Sequence, residues 1–428
     1  MTTVADDARP ELEDVASFRA RARAWIRENL KPVDQHPGEV AEFRTDEAEL
    51  TEVARQRAVQ RLLFDAGFAG IVVPRKYGGA GLTPAHARVF NEEIVGHDYP
   101  YLIQVANFSP SMAVILEFGT EEQKLQHVPA ILSGDELFAT FLSEPSGGSD
   151  AAGARTTAVR DGDEWVLNGS KIWSSFAWWR DWGLCLTRTN WDVEKHRGLT
   201  VFMVPIRWPG IELHRIEMAN GPGHFCQEFF TDVHIPDANR IGAVDAGWSV
   251  GVRWMFYERS RESSPYITWW ATGGGMAGRL GQDDLVRLAR RSGRIHDPMA
   301  RDLIGEVRAD ALVAEQTATR IVQRIRTGDL NDQAAALIRL QRGVNGTRQA
   351  TVAFELAAGA GVAWDEADEI LGQQGLDFLT RQSGQIGGGT TEMARNVISE
   401  RVLGMPRERA GDKDIAYRDV PKGPAAGR

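Results

Sequence analysis

The sequence predicts a multidomain α+β protein in which a β-domain is set between two helical domains. Three observations carry this reading. Apolar residues recur every three or four positions over 13–137, alternate in short turn-bounded runs over 138–245, and return to helical spacing over 246–406. Residues 407–428, ending KGPAAGR, read as a free tail.

In the first part, ASFRARARAWIRENL and EAELTEVARQRAVQRLLFDAGF each carry an apolar face. The glycine-rich stretch Lys76–Gly81 interrupts the pattern, and Pro110 adjoins a further helix. Thr120-Glu121-Glu122-Gln123 reads as a capping box that opens another helix. In the middle part, Arg155–Val159, Glu164–Leu167, Thr200–Val204 and Glu228–Phe230 read as strands. Asp161-Gly162-Asp163 and Asn168-Gly169 read as the turns that bound them. In the last part, DLIGEVRADALVAEQTATRIVQRIR predicts a long helix.

A net charge of -10 over 428 residues, with no basic patch, sets aside a nucleic-acid surface. The acidic start MTTVADDARPELED has no apolar core and is not read as a signal peptide. No apolar run reaches the roughly 18 residues of a membrane span. Cys185 and Cys226 fit neither metal spacing nor a disulfide framework and are expected as buried small hydrophobes; a reducing cytoplasm suits this pattern.

The chemistry concentrates in Phe141–Gly153, a polar glycine-bearing loop whose backbone N–H groups suit an anion or a flavin edge, and in Lys171-Ile172-Trp173-Ser174-Ser175. Ser143-Glu144-Pro145 with Gly148-Ser149-Asp150 and Gly153, followed by Asn168-Gly169 with Lys171, Trp173 and Ser175, resembles the paired signatures of the acyl-CoA dehydrogenase family. The resemblance runs from about Val15 to Pro406. It implies that family's fold: an N-terminal α-helical domain (13–137), a middle β-barrel-like domain (138–245) and a C-terminal four-helix-bundle domain (246–406). It also implies FAD, an acyl-CoA substrate, and an electron-transfer flavoprotein as electron acceptor. The assembly it implies is a homodimer or homotetramer, or a heteromer.

Carried over by position, Leu142 and Ser143 contact the flavin pyrimidine edge, Trp173 lies against the flavin with Ser175 beside it, and Ser149 lies near the pantetheine or phosphates of CoA. The family's C-terminal FAD segments fall on Glu355–Gly361 and Ile386–Glu392, so Glu355, Gly359, Thr390 and Glu392 are cofactor candidates, partly toward a neighbouring subunit. The first segment departs from the pattern, with Glu355 where glutamine is common and Ala358 in place of a glycine. The arginine that commonly meets the FAD pyrophosphate has no clean match. Arg290 is the candidate, and an exposed helix-end arginine is the competing reading.

Oxidation of a thioester at Cα–Cβ needs a carboxylate for the α-proton, a hydride acceptor on the opposite face, and donors to the thioester oxygen. Many family members carry the carboxylate near the C-terminus, at the position that is Gly388 here. The isovaleryl- and long-chain-like branches carry it on the helix after the β-domain, where this chain has Glu258. Glu258 is therefore the expected base, with Glu262 one turn on as its competitor, and the backbone N–H of Gly388 remains a donor to the thioester oxygen. A solvated pair of Glu258 with Arg261 or Arg290 is the structural alternative. Arg259 is expected to orient the base or lie near CoA. Tyr257, with Trp254, Trp269 and Trp270, is a candidate wall of a large acyl pocket or else core.

The expected activity is FAD-dependent α,β-dehydrogenation of a branched, long or bulky acyl-CoA to the trans-2-enoyl-CoA. A steroid side chain, a branched fatty acyl group and a secondary-metabolite thioester all fit, and a carrier-protein pantetheine can replace CoA. The alternatives are a non-catalytic or FAD-poor partner subunit of a heteromeric dehydrogenase, raised by Gly388 and the degraded Glu355–Gly361 segment, and an acyl-CoA oxidase, whose usual chain is longer.

Overall fold

Helix α1 (Val15–Asn29) opens at Asp14, whose carboxylate accepts from the N–H groups of Ala16 and Ser17, and it buries Phe18, Ala22 and Ile26 along one face. The computed structural model describes residues 12–32, 45–221, 223–259, 266, 282–363, 369–407, 410–412 and 414–420. Glu262, Arg261, Trp269 and Trp270 lie outside the described residues. The N-terminal layer continues with α2 (Asp46–Asp65), α3 (Pro84–Glu93), the single turn α4 (Tyr101–Gln104), two-residue strands β1 (Val105–Ala106) and β2 (Ser109–Pro110), α5 (Ser111–Phe118) and α6 (Glu121–Ser133). The capping box at α6 forms as expected. Thr120 Oγ1 accepts from the Gln123 N–H at 3.2 Å, and Gln123 Oε1 accepts from the Thr120 N–H at 2.9 Å.

The middle region holds β3 (Phe138–Phe141), β4 (Thr157–Asp161), β5 (Glu164–Ser175), β6 (Trp182–Arg188), β7 (Leu199–Pro205), β8 (Ile211–Arg215), β9 (Phe225–Pro236) and β10 (Arg240–Ile241). These form one eight-stranded sheet in the order β10-β7-β6-β4-β5-β9-β8, with β3 paired to β6. The path is open, with β10 and β8 at its ends, so among the described residues the strands do not close the ladder of the expected barrel-like form. The core of this region takes Phe141, Trp165, Leu167, Cys185, Phe202, Val204, Cys226, Phe230 and Val233. The opposite face of β6 and β7 (Leu184, Leu186, Val201, Met203) packs on the N-terminal helices. Burial on both faces is why β7 is apolar without a break from Val201 to Val204, where half-buried strands alternate.

Asp161 pairs with Glu164 across the tight Gly162-Asp163 loop, as the turn signal predicts. Asn168-Gly169 does not turn. It lies inside the twelve-residue β5, where a Cβ on Gly169 would stand 2.6 Å from Thr156 Cα, so the glycine serves a close backbone approach.

The last region comprises α7 (Gly247–Arg259), α8 (Gln282–Arg291), α9 (Pro298–Thr327), α10 (Ala335–Ala357), α11 (Glu369–Thr380), α12 (Ser383–Ile386) and α13 (Thr391–Val397). Helices α8, α9, α11, α12 and α13 all pack on α10, around a separate core that includes Leu285, Leu288, Ala300, Val352 and Leu356. Helix α7 belongs elsewhere. It packs on α5, β2, β6 and β7, and its Trp254 is fully buried in the N-terminal core. Trp254 is thus core and not pocket wall. Among the described residues no helix is long and apolar enough to cross a membrane.

The expectation of a free tail is corrected at 410–420. Tyr417 is buried against the β-domain, and its N–H donates to the Val193 carbonyl at 2.8 Å. An isolated aromatic amid polar residues gives no periodicity, so this docking left no pattern to read.

Candidate functional site

The flavin-type loop is tied down from beneath. Glu144 turns inward, and its carboxylate accepts from the N–H groups of Arg155 (2.7 Å) and Thr156 (2.9 Å) and from Lys171 Nζ (2.8 Å). Both members of the Lys171–Glu144 pair are buried. Burial alone would raise the Glu144 pKa, but the Lys171 ammonium and the backbone donors hold it below the ordinary glutamate value. Lys171 also donates to the Leu142 carbonyl at 3.3 Å, and the Ile172 N–H donates to the Ser143 carbonyl at 3.0 Å, so Leu142 and Ser143 are fixed to β5. Reciprocal backbone bonds between Glu144 and Gly147 close the turn, which leaves Ser149 exposed.

Trp173 stands on the same strand. Ile172 pairs with Gln227 and Ser174 with Cys226, so Trp173 is the extra residue of a β-bulge. Its φ is +68°, a conformation that costs a non-glycine residue on the order of 1–3 kcal/mol; the residue is 55% exposed, its ring edge-on to Phe225 at 5.8 Å. A strained backbone that presents a bare indole beside the Leu142–Ser143 backbone and the half-buried Ser175 fits the ring half of a flavin. Beneath the bulge, the Ser174 hydroxyl donates to Glu228 Oε2 at 2.7 Å. Glu228 is fully buried with Oε1 unpartnered, and burial pushes its carboxyl up to about 8. Cys185 and Cys226 lie in this core as small hydrophobes; burial pushes both thiols up to about 12.

The carboxylate candidate sits on α7. Glu258 is half-buried and, among the described residues, makes no hydrogen bond or ion pair. Its neighbour Tyr257 is engaged: its hydroxyl donates to Glu117 (2.7 Å) and accepts from Arg253 (3.0 Å), which itself pairs with Glu117. Burial, reinforced by the Glu117 carboxylate, pushes Tyr257 up to about 12. The Ser109 hydroxyl donates to the Tyr257 carbonyl at 2.8 Å and fixes the end of α7. Arg259 closes the helix.

The C-terminal candidates are differently placed. Glu355, Gly359 and Glu392 are exposed, as is Arg290 on the last turn of α8. The arginine that meets the Glu355 segment is Arg294, which donates to the Glu355 carbonyl at 2.6 Å and pairs with Asp297 at 2.7 Å. Ala358, where the family pattern has glycine, adopts φ +51°. Thr390 caps α13 by accepting from the Met393 N–H at 3.1 Å. Gly388 has φ +72°, a conformation that favours glycine, and the adjoining Gly387 carbonyl accepts from Arg339 at 2.7 Å. Glu258 thus rests on the N-terminal and β layers, whereas Gly388 rests on α10.

Sequence reasoning assigned no role to Lys171, Glu228, Arg294 or the tail. Only Lys171 left a signal, as the lysine of the Asn168–Ser175 signature; the others are defined by partners remote in sequence.

A helical layer, a sheet that lifts one strained tryptophan beside an anchored loop, and a second helical layer together define an oxidoreductase scaffold of the acyl-CoA dehydrogenase type. The comparisons agree. The family model "Acyl-CoA dehydrogenase, N-terminal domain" matches residues 13–135, and "Acyl-CoA dehydrogenase, middle domain" matches 139–233. Acyl-CoA dehydrogenase IpdE1 of Mycobacterium tuberculosis is 30% identical over 94% of this chain and 100% of its own. The solved "Tcur3481-Tcur3483 steroid ACAD" superposes with a TM-score of 0.72 at 26% identity, over 93% of this chain and 100% of that one. The ChsE4-ChsE5 complex from Mycobacterium tuberculosis shares the fold, with a TM-score of 0.66 at 24% identity over 93% and 100% of the two chains. The chain belongs to the acyl-CoA dehydrogenase family.

Proposed function

We propose that this chain is one subunit of a heteromeric acyl-CoA dehydrogenase that oxidises a bulky, steroid-derived acyl-CoA to its trans-2-enoyl-CoA, and that it retains FAD poorly without its partner chain. One observation carries the proposal. The ring half of the flavin site is anchored within the chain, while the segments expected at the rest of the cofactor (Glu355, Gly359, Glu392) are exposed. Bare apolar residues along the bundle support the same reading: Leu312, Val313 and Val322 on α9 and Val344 on α10 are each more than a third exposed. The likeness to the Tcur3481-Tcur3483 steroid ACAD, whose name pairs two chains and specifies a steroid, supports both the assembly and the substrate class.

In this reading Leu142, Ser143, Trp173 and Ser175 hold the flavin ring, and FAD supplies the hydride acceptor. Glu258 takes the α-proton on its carboxylate; its half-buried position and lack of a partner among the described residues suit a base that must meet substrate. Gly388 leaves the C-terminal side free of a second carboxylate, and its N–H polarises the thioester oxygen. Ser149 serves the pantetheine and phosphates, and an electron-transfer flavoprotein receives the electrons.

The test is purification of the chain alone and after co-expression with a candidate second family member. The chain alone is expected to carry well under one FAD. The pair is expected to be yellow and to bleach with a steroid side-chain CoA thioester, and Glu258→Gln to slow bleaching by about 10²–10⁴-fold. Full FAD and full bleaching by the chain alone would overturn the heteromer in favour of a single-chain enzyme. Wild-type bleaching by the Gln variant would leave the chain a non-catalytic subunit.

A further inference from the structure

Three consecutive carbonyl oxygens, at Ala152, Gly153 and Ala154, follow the exposed Ser149-Asp150 step, and each is held by a donor from elsewhere in the chain. The fully buried Arg188 donates from one terminal nitrogen to Ala152 (2.5 Å) and from Nε to Ala154 (3.2 Å). The Tyr417 hydroxyl donates to Gly153. The two donors are themselves locked together, with the Arg188 guanidinium 4.0 Å from the centre of the Tyr417 ring and the opposite nitrogen of Arg188 bound to the Lys195 carbonyl at 2.6 Å.

The tail is held at several further points. The Tyr417 ring stacks on Trp191 at 5.3 Å, the Arg418 N–H donates to the Trp191 carbonyl at 3.0 Å, and Arg418 pairs with Asp192. Lys195 joins the two sides, binding Asp150 of the loop at 3.0 Å and Asp412 of the tail. The fit at Gly153 is close: a Cβ there would stand 2.7 Å from the Asp150 carboxylate and 3.6 Å from the Tyr417 hydroxyl.

We infer that the C-terminal segment 414–420 is a clamp on the substrate-facing loop, and that Tyr417 and Arg188 are positioning residues for CoA binding. Carbonyl oxygens that are all engaged cannot rotate toward the ligand, and the Gly153 and Ala154 N–H groups donate back to the carbonyls of Asp150 (2.9 Å) and Ala151 (3.2 Å), so the turn is fixed and the exposed Ser149 that precedes it keeps one orientation toward a phosphate or pantetheine. Without the tail, Gly153 loses its partner and Arg188 loses the ring that covers it. The loop then samples other conformations, and ligand binding must bear the entropy of ordering it. The inference rests on the family reading only for the ligand; the clamp itself is a property of this chain.

The experiment compares the full chain with Tyr417→Phe, Tyr417→Ala and a truncation after Arg407, each purified with added FAD in the assembly that the full chain forms. Amide exchange over 148–156 is expected to accelerate about tenfold in Tyr417→Ala and the truncation, and less in Tyr417→Phe, with 225–236 unchanged. The dissociation constant for free CoA is expected to rise about tenfold with bound FAD unaltered. Unchanged exchange at 148–156 overturns the clamp. Faster exchange with unchanged CoA affinity overturns the positioning role. If the full chain binds no CoA, the family ligand is wrong, and the exchange data still judge the clamp.

Discussion

The β-domain and the C-terminal helices, which share the proposed cofactor site, hold their polar groups in opposite ways. In the β-domain the presenting loop is secured by a buried ion pair, two backbone N–H donors to Glu144, and a strand bulge. In the C-terminal helices Glu355, Gly359 and Glu392 are exposed, and α9, thirty residues long, buries only Ala300, Val307 and Ile321 in its own chain. The contrast teaches that local order and completeness are separate properties. The half of the proposed site on the β-domain is anchored within the chain. The half on the C-terminal helices is helical yet exposed, and apolar side chains such as Leu312, Val313 and Val344 are uncovered along it.

The contrast breaks if the β-domain does not depend on its buried pair. Lys171→Met leaves Glu144 charged and buried with only backbone donors, and is expected to cost about 3–5 kcal/mol in urea unfolding. A loss below about 1 kcal/mol would mean that the loop is not held from beneath.

Glu228 gives the next largest effect. Its carboxyl keeps its proton up to about 8 in the folded chain but loses it near 4.5 when unfolded. Between those values the unfolded state binds fewer protons, so stability declines as pH rises and the full penalty stands above about 8. Glu228→Gln is expected to flatten this decline, by on the order of 3 kcal/mol between about pH 5 and 9. A parallel decline in both proteins would show that Glu228 ionises freely.

The smallest effect sharpens the C-terminal side. Ala358 ends α10 at φ +51°, so Ala358→Gly is expected to stabilise the chain by about 1 kcal/mol, read as a higher thermal midpoint. A lower midpoint would place the strain elsewhere.

Much of this was legible in the sequence because it is written in periods and fixed spacings. The helical and alternating patterns set out the three regions, and Thr120 through Gln123 announced a helix start that forms as read. The Ser143–Gly153 and Asn168–Ser175 spacings located the loop and the tryptophan. Asn168-Gly169 was misread because the dipeptide that makes a hairpin turn also admits a close strand crossing, and only the packing of Thr156 decides between them. Glu228, Arg294 and Tyr417 stayed hidden for a related reason. Their partners Ser174, Glu355 and Gly153 lie 54, 61 and 264 positions away, and no local pattern encodes contacts of that range.

The bulge at Trp173 has a consequence in counting. Along β5 the inward positions are odd-numbered through Trp165, Leu167 and Lys171, then become even at Ser174. Partner strand β9 makes the opposite change, from even (Cys226, Glu228, Phe230) to odd (Val233, Ile235). Each strand therefore carries one surplus residue that inverts its parity, and the indole is aimed by arithmetic as much as by its own chemistry. Substituting Trp173 would keep that count. Deleting it would turn Ser175 toward Glu228 and expose the residues after it, so a one-residue gap at this position is a graver change than any replacement.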